Sequence, residues 1–252
     1  MLKIIVSGCN GHMGRVVAGL CAADPQVEVV AGFDVMGSGD GSFPVYASPA
    51  QFQGKADAVI DFSSPAALDG LLEFAKTTKT PLVLATTGYT PEQVAQIGAA
   101  ALEAPIFRSA NMSLGINVLL ELVKKAASIL GSSSDIEIVE RHHNRKVDAP
   151  SGTALMIADA AASALEYQAE YNYGRHERRM ARPKNEIGIS AVRGGTIVGD
   201  HTIIFAGHDE VIEIKHSAQS REIFANGAVK AAKFLADVQE AGMYDMSQLV
   251  NE

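Results

Sequence analysis

A β-rich run, Leu2-Lys3-Ile4-Ile5-Val6-Ser7, passes directly into Gly8-Cys9-Asn10-Gly11-His12-Met13-Gly14 and then into a helix-period segment. Strand, glycine loop and helix in that order open a βαβ unit, and the exposed N–H groups of such a helix start bind pyrophosphate. The spacing is G-x-x-G-x-x-G, with Asn10 where the commonest dinucleotide fingerprint has its middle glycine. Asparagine tolerates left-handed backbone angles better than most residues, so the variation is mild. Alone, the loop reads equally well as a tight strand-to-helix turn. Asp34, twenty residues after Gly14 and just past the second β-run, adds a carboxylate where adenosine ribose hydroxyls are bound and a 2′-phosphate is repelled. Val35 supplies no cation for that phosphate. The two favour NAD over NADP; the other reading of Asp34 is a turn-forming residue at a strand end.

Along the first part of the chain, candidate strands at 2–7, 27–33, 58–62, 81–86 and 105–107 alternate with candidate helices at 13–22, 65–76 and 91–102. The last two open with proline in the first turn. Strand and helix in repeated succession predict a parallel sheet, hence an α/β fold. After Ser109-Ala110-Asn111-Met112-Ser113 the pattern changes. A long helix at 116–130 precedes a strand, a basic loop, another helix, and strands at 187–193, 196–205 and 211–216, with Arg193-Gly194-Gly195 among the turns. That succession predicts a second, α+β domain with a mostly antiparallel sheet. A final helix at 225–238 can pack back onto the first domain. Boundaries fall near Ser113 and Arg221.

Composition narrows the class. A chain of 252 residues with 47% hydrophobic residues can bury a substantial core. Its net charge of −8 leaves no broad basic surface for nucleic acid, and no apolar stretch is long enough for a signal peptide or membrane span. The two cysteines, Cys9 and Cys21, form neither a disulfide framework nor a zinc spacing, so a cytoplasmic protein without a structural metal is expected. Cys9 reads as a small side chain in the glycine loop.

Against that acidic background, Arg141-His142-His143-Asn144-Arg145-Lys146 places five cationic or chargeable groups in six residues. The run follows a strand pattern in which Ile136 and Ile138 alternate with Glu137 and Val139, and it precedes Ser151-Gly152-Thr153 at a helix start. Adjacent His142 and His143 point opposite ways on an extended backbone, and Lys146 meets His142 only if a tight turn intervenes. Hydroxyls, helix-start N–H groups and cations together make a cradle for a carboxylate or phosphate, beside histidines that exchange protons near neutral pH. A solvated basic loop is the plain alternative.

The segment Glu140-Arg141-His142-His143-Asn144-Arg145-Lys146-Val147-Asp148-Ala149-Pro150-Ser151-Gly152-Thr153-Ala154 closely resembles the E-x-H-H-x-x-K-x-D-x-P-S-G-T-A signature of the 4-hydroxy-tetrahydrodipicolinate reductase family. The resemblance extends to the glycine loop, Ala85-Thr86-Thr87-Gly88, Ser109-Ala110-Asn111-Met112-Ser113 and Phe224-Ala225-Asn226-Gly227-Ala228. It implies a Rossmann-like parallel-sheet nucleotide-binding domain over 1–112 plus 222–252. An α+β substrate and oligomerisation domain, 113–221, would be inserted into it, and its sheets would assemble a homotetramer. The implied reaction is NADH- or NADPH-dependent reduction of a cyclic hydroxy-imine dicarboxylate to tetrahydrodipicolinate with loss of water, a step of lysine and diaminopimelate biosynthesis. The family's general acid falls on His142 and its catalytic lysine on Lys146. Substrate contacts fall on His143, Ser151, Gly152 and Thr153. Cofactor contacts fall on Gly8, Cys9, Asn10, Gly11, His12, Met13, Asp34, Ala85, Thr86, Thr87, Ser109, Ala110, Asn111 and Met112.

Three residues depart from the family pattern. His12 stands for an arginine usual in the glycine loop, Val35 for an arginine some members direct at the NADP phosphate, and Ala85 for a common glycine. Loss of both arginines points to NADH. Three rivals stay open on sequence alone: a different two-domain amino-acid dehydrogenase, which leaves the basic motif unexplained, a non-catalytic NAD(H) sensor and, more distantly, a basic nucleic-acid-binding loop.

Overall fold

The computed structural model describes residues 1–39, 41–176, 179–238 and 240–250. The chain forms two compact units, Met1–Leu114 with Glu222–Glu252 and Gly115–Arg221.

The first unit is built on β1 (Leu2–Ser7), β2 (Val27–Phe33), β3 (Val45–Tyr46), β4 (Ala58–Asp61), β5 (Leu82–Leu84), β6 (Pro105–Arg108) and a late strand, Gly242–Tyr244. All seven are parallel, in the order β3-β2-β1-β4-β5-β6 followed by Gly242–Tyr244. The order reverses between β1 and β4, and this topological switch point is where doubly wound sheets bind ligands. Apolar runs such as Ile4-Ile5-Val6 suit a sheet covered on both faces. Ile4 and Val6 enter one core with Val17 and Cys21 of α1 (His12–Ala23), while Ile5 enters another with Leu71 and Phe74 of α2 (Leu68–Thr78) and Ile97 of α3 (Pro91–Ala100). The helix Glu222–Ala236 returns to the first core through Ala225, Ala228 and Leu235, and its Lys233 Nζ lies 2.6 Å from Asp24 Oδ2 at the end of α1. Among the described residues no helix is long and apolar enough to cross a membrane.

The second unit contains α4 (Leu114–Leu130, its first residue in the first unit), β7 (Asp135–His142), α5 (Gly152–Ala162), β8 (Glu170–Asn172), β9 (Glu186–Arg193), β10 (Gly199–Ala206) and β11 (Val211–Ala218). The chain then enters α6 (Glu222–Ala236), β12 (Gly242–Tyr244) and α7 (Met246–Val250) of the first unit. The sheet order is β11-β10-β7-β9-β8. β11 to β10 and β10 to β7 are antiparallel, whereas β7 to β9 and β9 to β8 are parallel. The sheet is therefore mixed, not mostly antiparallel. The reason lies in the connections: α5 carries the chain from β7 across to the edge strand β8, a crossover that gives parallel strands, and β9 lies between the two and parallel to both. The 193–195 turn then spans β7 and does not close a hairpin. Ile136, Ile138, Ile203 and Phe205 face Ile116 and Val123 of α4 and Ala154 and Ile157 of α5 in one core.

Other differences are local. Pro65 opens a 3₁₀ turn, Pro65–Ala67, ahead of α2, so the helix expected at 65–76 is two elements. β3, β8 and β12 are two or three residues long, too short to show a period.

At α6, a Cβ built on Gly227 would lie 1.7 Å from the Met112 carbonyl oxygen, on the chain that follows β6. Gly227→Ala gains helix propensity but overpacks against backbone, which costs about 1–3 kcal/mol. The urea midpoint of the variant is expected below that of the wild type; an equal or higher midpoint would contradict this packing.

Candidate functional site

In the first unit the expected cofactor residues lie beyond the C-terminal ends of β1, β2, β5 and β6. Gly8 has φ +74° and donates its N–H to Phe33 O at 2.7 Å. Gly14 allows the first turn of α1 to lie against the loop, since a Cβ there would meet Gly8 O at 2.1 Å. Gly11 is the N-cap of α1 and no side chain caps the helix, so its first-turn amides suit a phosphate. Cys9 is buried against Gly32, where a Cβ would approach its sulfur to 2.5 Å. This explains the small residue. His12 is exposed and Met13 half-buried on the first turn.

Asp34 binds both sides of its loop. Its carboxylate accepts from Asn10 N–H at 3.2 Å and Met36 N–H at 3.1 Å, and Asn10 Nδ2 donates to Ser38 O at 2.7 Å. The turn-forming reading of Asp34 thus describes real bonds, and it leaves the carboxylate on the wall of a cavity of about 330 Å³ with Gly8, Gly11, Val35, Ser63 and Ala67. Val35 is 89% exposed, with no cationic neighbour in sequence. Size, helix start and carboxylate fit the adenosine end of a dinucleotide.

Ala85 and Thr86 are buried at the end of β5, where Ala85 N–H donates to Asp61 O at 3.0 Å; Thr87 is exposed. Asp61 is fully buried and accepts from Ser63 Oγ at 2.5 Å and Tyr89 OH at 3.4 Å. Burial, then the Asp61 charge, pushes the Tyr89 phenol well above its usual pKa. After β6, Ser109 Oγ donates to Asn111 O at 2.9 Å and Asn111 Oδ1 accepts from Ser113 N–H at 2.9 Å. Ala110 is exposed at the tip of this loop, while Asn111 and Met112 are buried.

The second unit gathers the basic motif. β7 alternates burial along its length, which puts Glu140 and His142 on the core face after Ile136 and Ile138. Glu140 is fully buried. Its Oε2 lies 2.7 Å from His142 Nδ1 and accepts from Arg193 Nη1 at 2.7 Å; its Oε1 accepts from Arg193 Nη2 at 2.7 Å and Ser151 N–H at 2.9 Å. Burial opposes ionisation of Glu140, but bonds from Arg193, His142 and the Ser151 amide outweigh it and hold its pKa below the ordinary carboxylate value. His201 of β10, opposite Glu140 in register, packs edge-on to the His142 ring at 5.2 Å between centroids. Burial foremost, then the His142 charge, lowers the His201 pKa to about 4, so it stays neutral at neutral pH.

Beyond His142 the chain turns, with Lys146 N–H donating to His143 O at 3.1 Å. His143 is half-buried, and its pKa is lowered first by burial and then by the charges of Arg145, Arg221, His142 and Lys146. Those cations create a positive field suited to an anion. Lys146 Nζ lies 2.8 Å from Asp148 Oδ1. Lys146 foremost, and also the Gly152 amide, keep Asp148 below its usual pKa, so the chain's own carboxylate sits at the start of α5. Gly152 is exposed and Thr153 half-buried. Ser151 is 2% exposed: its amide serves Glu140, and its hydroxyl accepts from Ala154 N–H at 3.1 Å and lies 3.1 Å from His201 Nε2. Its contribution to an anion cradle is to build the helix start. Among the described residues no group of three or more His, Cys, Asp or Glu is arranged to hold a metal.

Sequence reasoning gave no role to Glu140, Arg193, His201 or Arg221. For Glu140 and His201 the signal is parity. Each continues a buried apolar alternation, from Ile136 and Ile138 in one strand and toward Ile203 and Phe205 in the other. Arg193 and Arg221 carry no comparable mark.

The profile of the dihydrodipicolinate reductase N-terminus matches residues 2–112, and that of the dihydrodipicolinate reductase C-terminus matches 115–250. The 4-hydroxy-tetrahydrodipicolinate reductase of Caldanaerobacter subterraneus subsp. tengcongensis is 55% identical over 252 residues, covering 100% of this chain and 99% of that protein. The protein of the same name from Clostridium perfringens strain SM101 is 49% identical, covering 99% of this chain and 98% of its own. In fold, the chain is similar to the dipicolinate-bound dihydrodipicolinate reductase of Paenisporosarcina sp. TG-14, with a TM-score of 0.82, 22% identity and 97% of each chain covered. With both halves matched and the relatives covered end to end, the chain belongs to the dihydrodipicolinate reductase family.

Proposed function

We propose that this chain reduces 4-hydroxy-tetrahydrodipicolinate to tetrahydrodipicolinate with loss of water, using NAD(P)H, in lysine and diaminopimelate biosynthesis. The observation that carries this reading is 55% identity across the whole chain to a reductase of that name. The nicotinamide cofactor, when bound, supplies the hydride. Gly8 to Met13 and Asp34 hold its adenosine and pyrophosphate end, and Ala85 to Thr87 with Ser109 to Met112 hold the nicotinamide end. His142 gives the proton, and Lys146 neutralises charge developing on the ring. His143 and the helix start at Ser151, Gly152 and Thr153 receive the substrate carboxylates. The cations around His143 support this role.

NADH is the preferred cofactor in this reading, because Asp34 borders the cavity and Val35 offers a 2′-phosphate no charge. The working form is a cytoplasmic homotetramer joined through the second unit's sheet. Two features support that assembly: β11 is an open edge, and its Val211 and Ile212 are 60% and 39% exposed. No nucleic-acid or membrane partner is invoked.

Initial rates with NADH and NADPH side by side, on substrate made in situ from pyruvate and aspartate semialdehyde, test the reading. Turnover with a higher kcat/KM for NADH is expected. Equal or better use of NADPH would overturn the cofactor preference alone, and no turnover in protein that binds NADH would overturn the reaction. Lys146→Ala is expected to lower kcat/KM for the dicarboxylate roughly 10²–10³-fold with NADH binding intact; unchanged steady-state constants would remove Lys146 from the mechanism.

A further inference from the structure

His142 and Lys146 are tied together by protein atoms. From His142 Nδ1 the chain of contacts runs 2.7 Å to Glu140, which Arg193 grips with both terminal nitrogens at 2.7 Å. Arg193 Nη2 also donates to the Asp148 carbonyl at 2.6 Å, and the Asp148 carboxylate lies 2.8 Å from Lys146 Nζ. Arg193 joins β7 to the loop that carries Lys146, from a third element, β9.

The chemistry of this chain fixes a tautomer. An ionised carboxylate only accepts hydrogen bonds, so His142 must present Nδ1–H to Glu140. In the neutral ring Nε2 then holds the lone pair, and in the protonated ring Nε2–H is the proton not already engaged. Among the described residues the ring makes its hydrogen bond through Nδ1. The other groups facing it do not compete for the proton: Arg193 is permanently charged, Ser151 contributes an amide to Glu140, and His201 is neutral. His216 and Asp200 lie further out, acting on His201.

We propose that the buried Glu140–Arg193 pair is a positioning device for the reaction. Glu140 makes Nε2 of His142 the nitrogen that exchanges the proton, and Arg193, through the Asp148 carbonyl, sets the loop bearing Lys146 relative to it. This rests on the reading of His142 as the proton donor. A merely structural ion pair would leave the choice of His142 tautomer open, and that difference is measurable.

Glu140→Gln keeps the shape and removes the charge. Relative to wild type, kcat is expected to fall about 10–100-fold, less than for loss of the acid itself. KM for the dicarboxylate and affinity for NADH should stay within about threefold, since loss of an interaction made chiefly in the transition state appears in kcat. Wild-type kcat in Glu140→Gln, with His142→Gln impaired, would overturn the positioning role alone. Full activity in both variants would overturn the reading of His142 beneath it. Nitrogen NMR of the wild-type histidines, with the His142 signal identified by its loss in His142→Gln, does not depend on the Glu140 variant folding. Neutral His142 is expected as the Nδ1–H form, and a predominant Nε2–H form would sink the proposal.

Discussion

One buried carboxylate governs the second unit. Taking Glu140 fully out of water costs several kcal/mol unless its lone pairs are filled and a counter-charge lies against it. Here β7 supplies His142, β9 supplies both ends of the Arg193 guanidinium, and α5 supplies the Ser151 amide. Satisfying that single charge fixes three elements to one another. The strand that ends in His142 and the helix that starts at Ser151 therefore cannot move independently without stranding a charge in the core.

The anion sites proposed for the two units differ in kind. In the first, the backbone does the work: the glycine loop brings an uncapped helix start to the C-terminal edge of a parallel sheet, at the switch between β1 and β4. The Asp34 carboxylate ties the loop together while bordering the cavity. In the second, a helix start is supplemented by side-chain cations around His143 and Lys146. In this structure Asp148 lies at that helix start, the position an incoming carboxylate would take. A neutral-backbone site suits a cofactor that must be exchanged each turnover; a cationic one suits a dianionic substrate.

Sequence alone reveals the first unit well because each of its signals is local. Apolar pairs such as Ile4-Ile5 mark strands buried on both faces, and the glycine spacing marks the loop. The mixed sheet of the second unit is not legible, because strand neighbours are chosen by the α5 crossover and not by any residue within β9 or β10. β3, β8 and β12 escape because two or three residues carry no period. Of the candidate site, His142, His143 and Lys146 stand out through charge and a family signature. Glu140 opens that signature, but its burial is marked only by its carrying the alternation of β7 two residues further than Ile138, and the role of Arg193 shows only in three dimensions.

The most direct test follows the hydride itself. The protein would be given NADH dideuterated at the nicotinamide C4 together with freshly generated 4-hydroxy-tetrahydrodipicolinate, and the product ring analysed by mass spectrometry. One deuterium on the tetrahydrodipicolinate ring, with one NADH consumed per product, is the expected result. NADH that binds and is recovered intact, with no deuterium in any ring product, would contradict the assignment of this chain as a reductase.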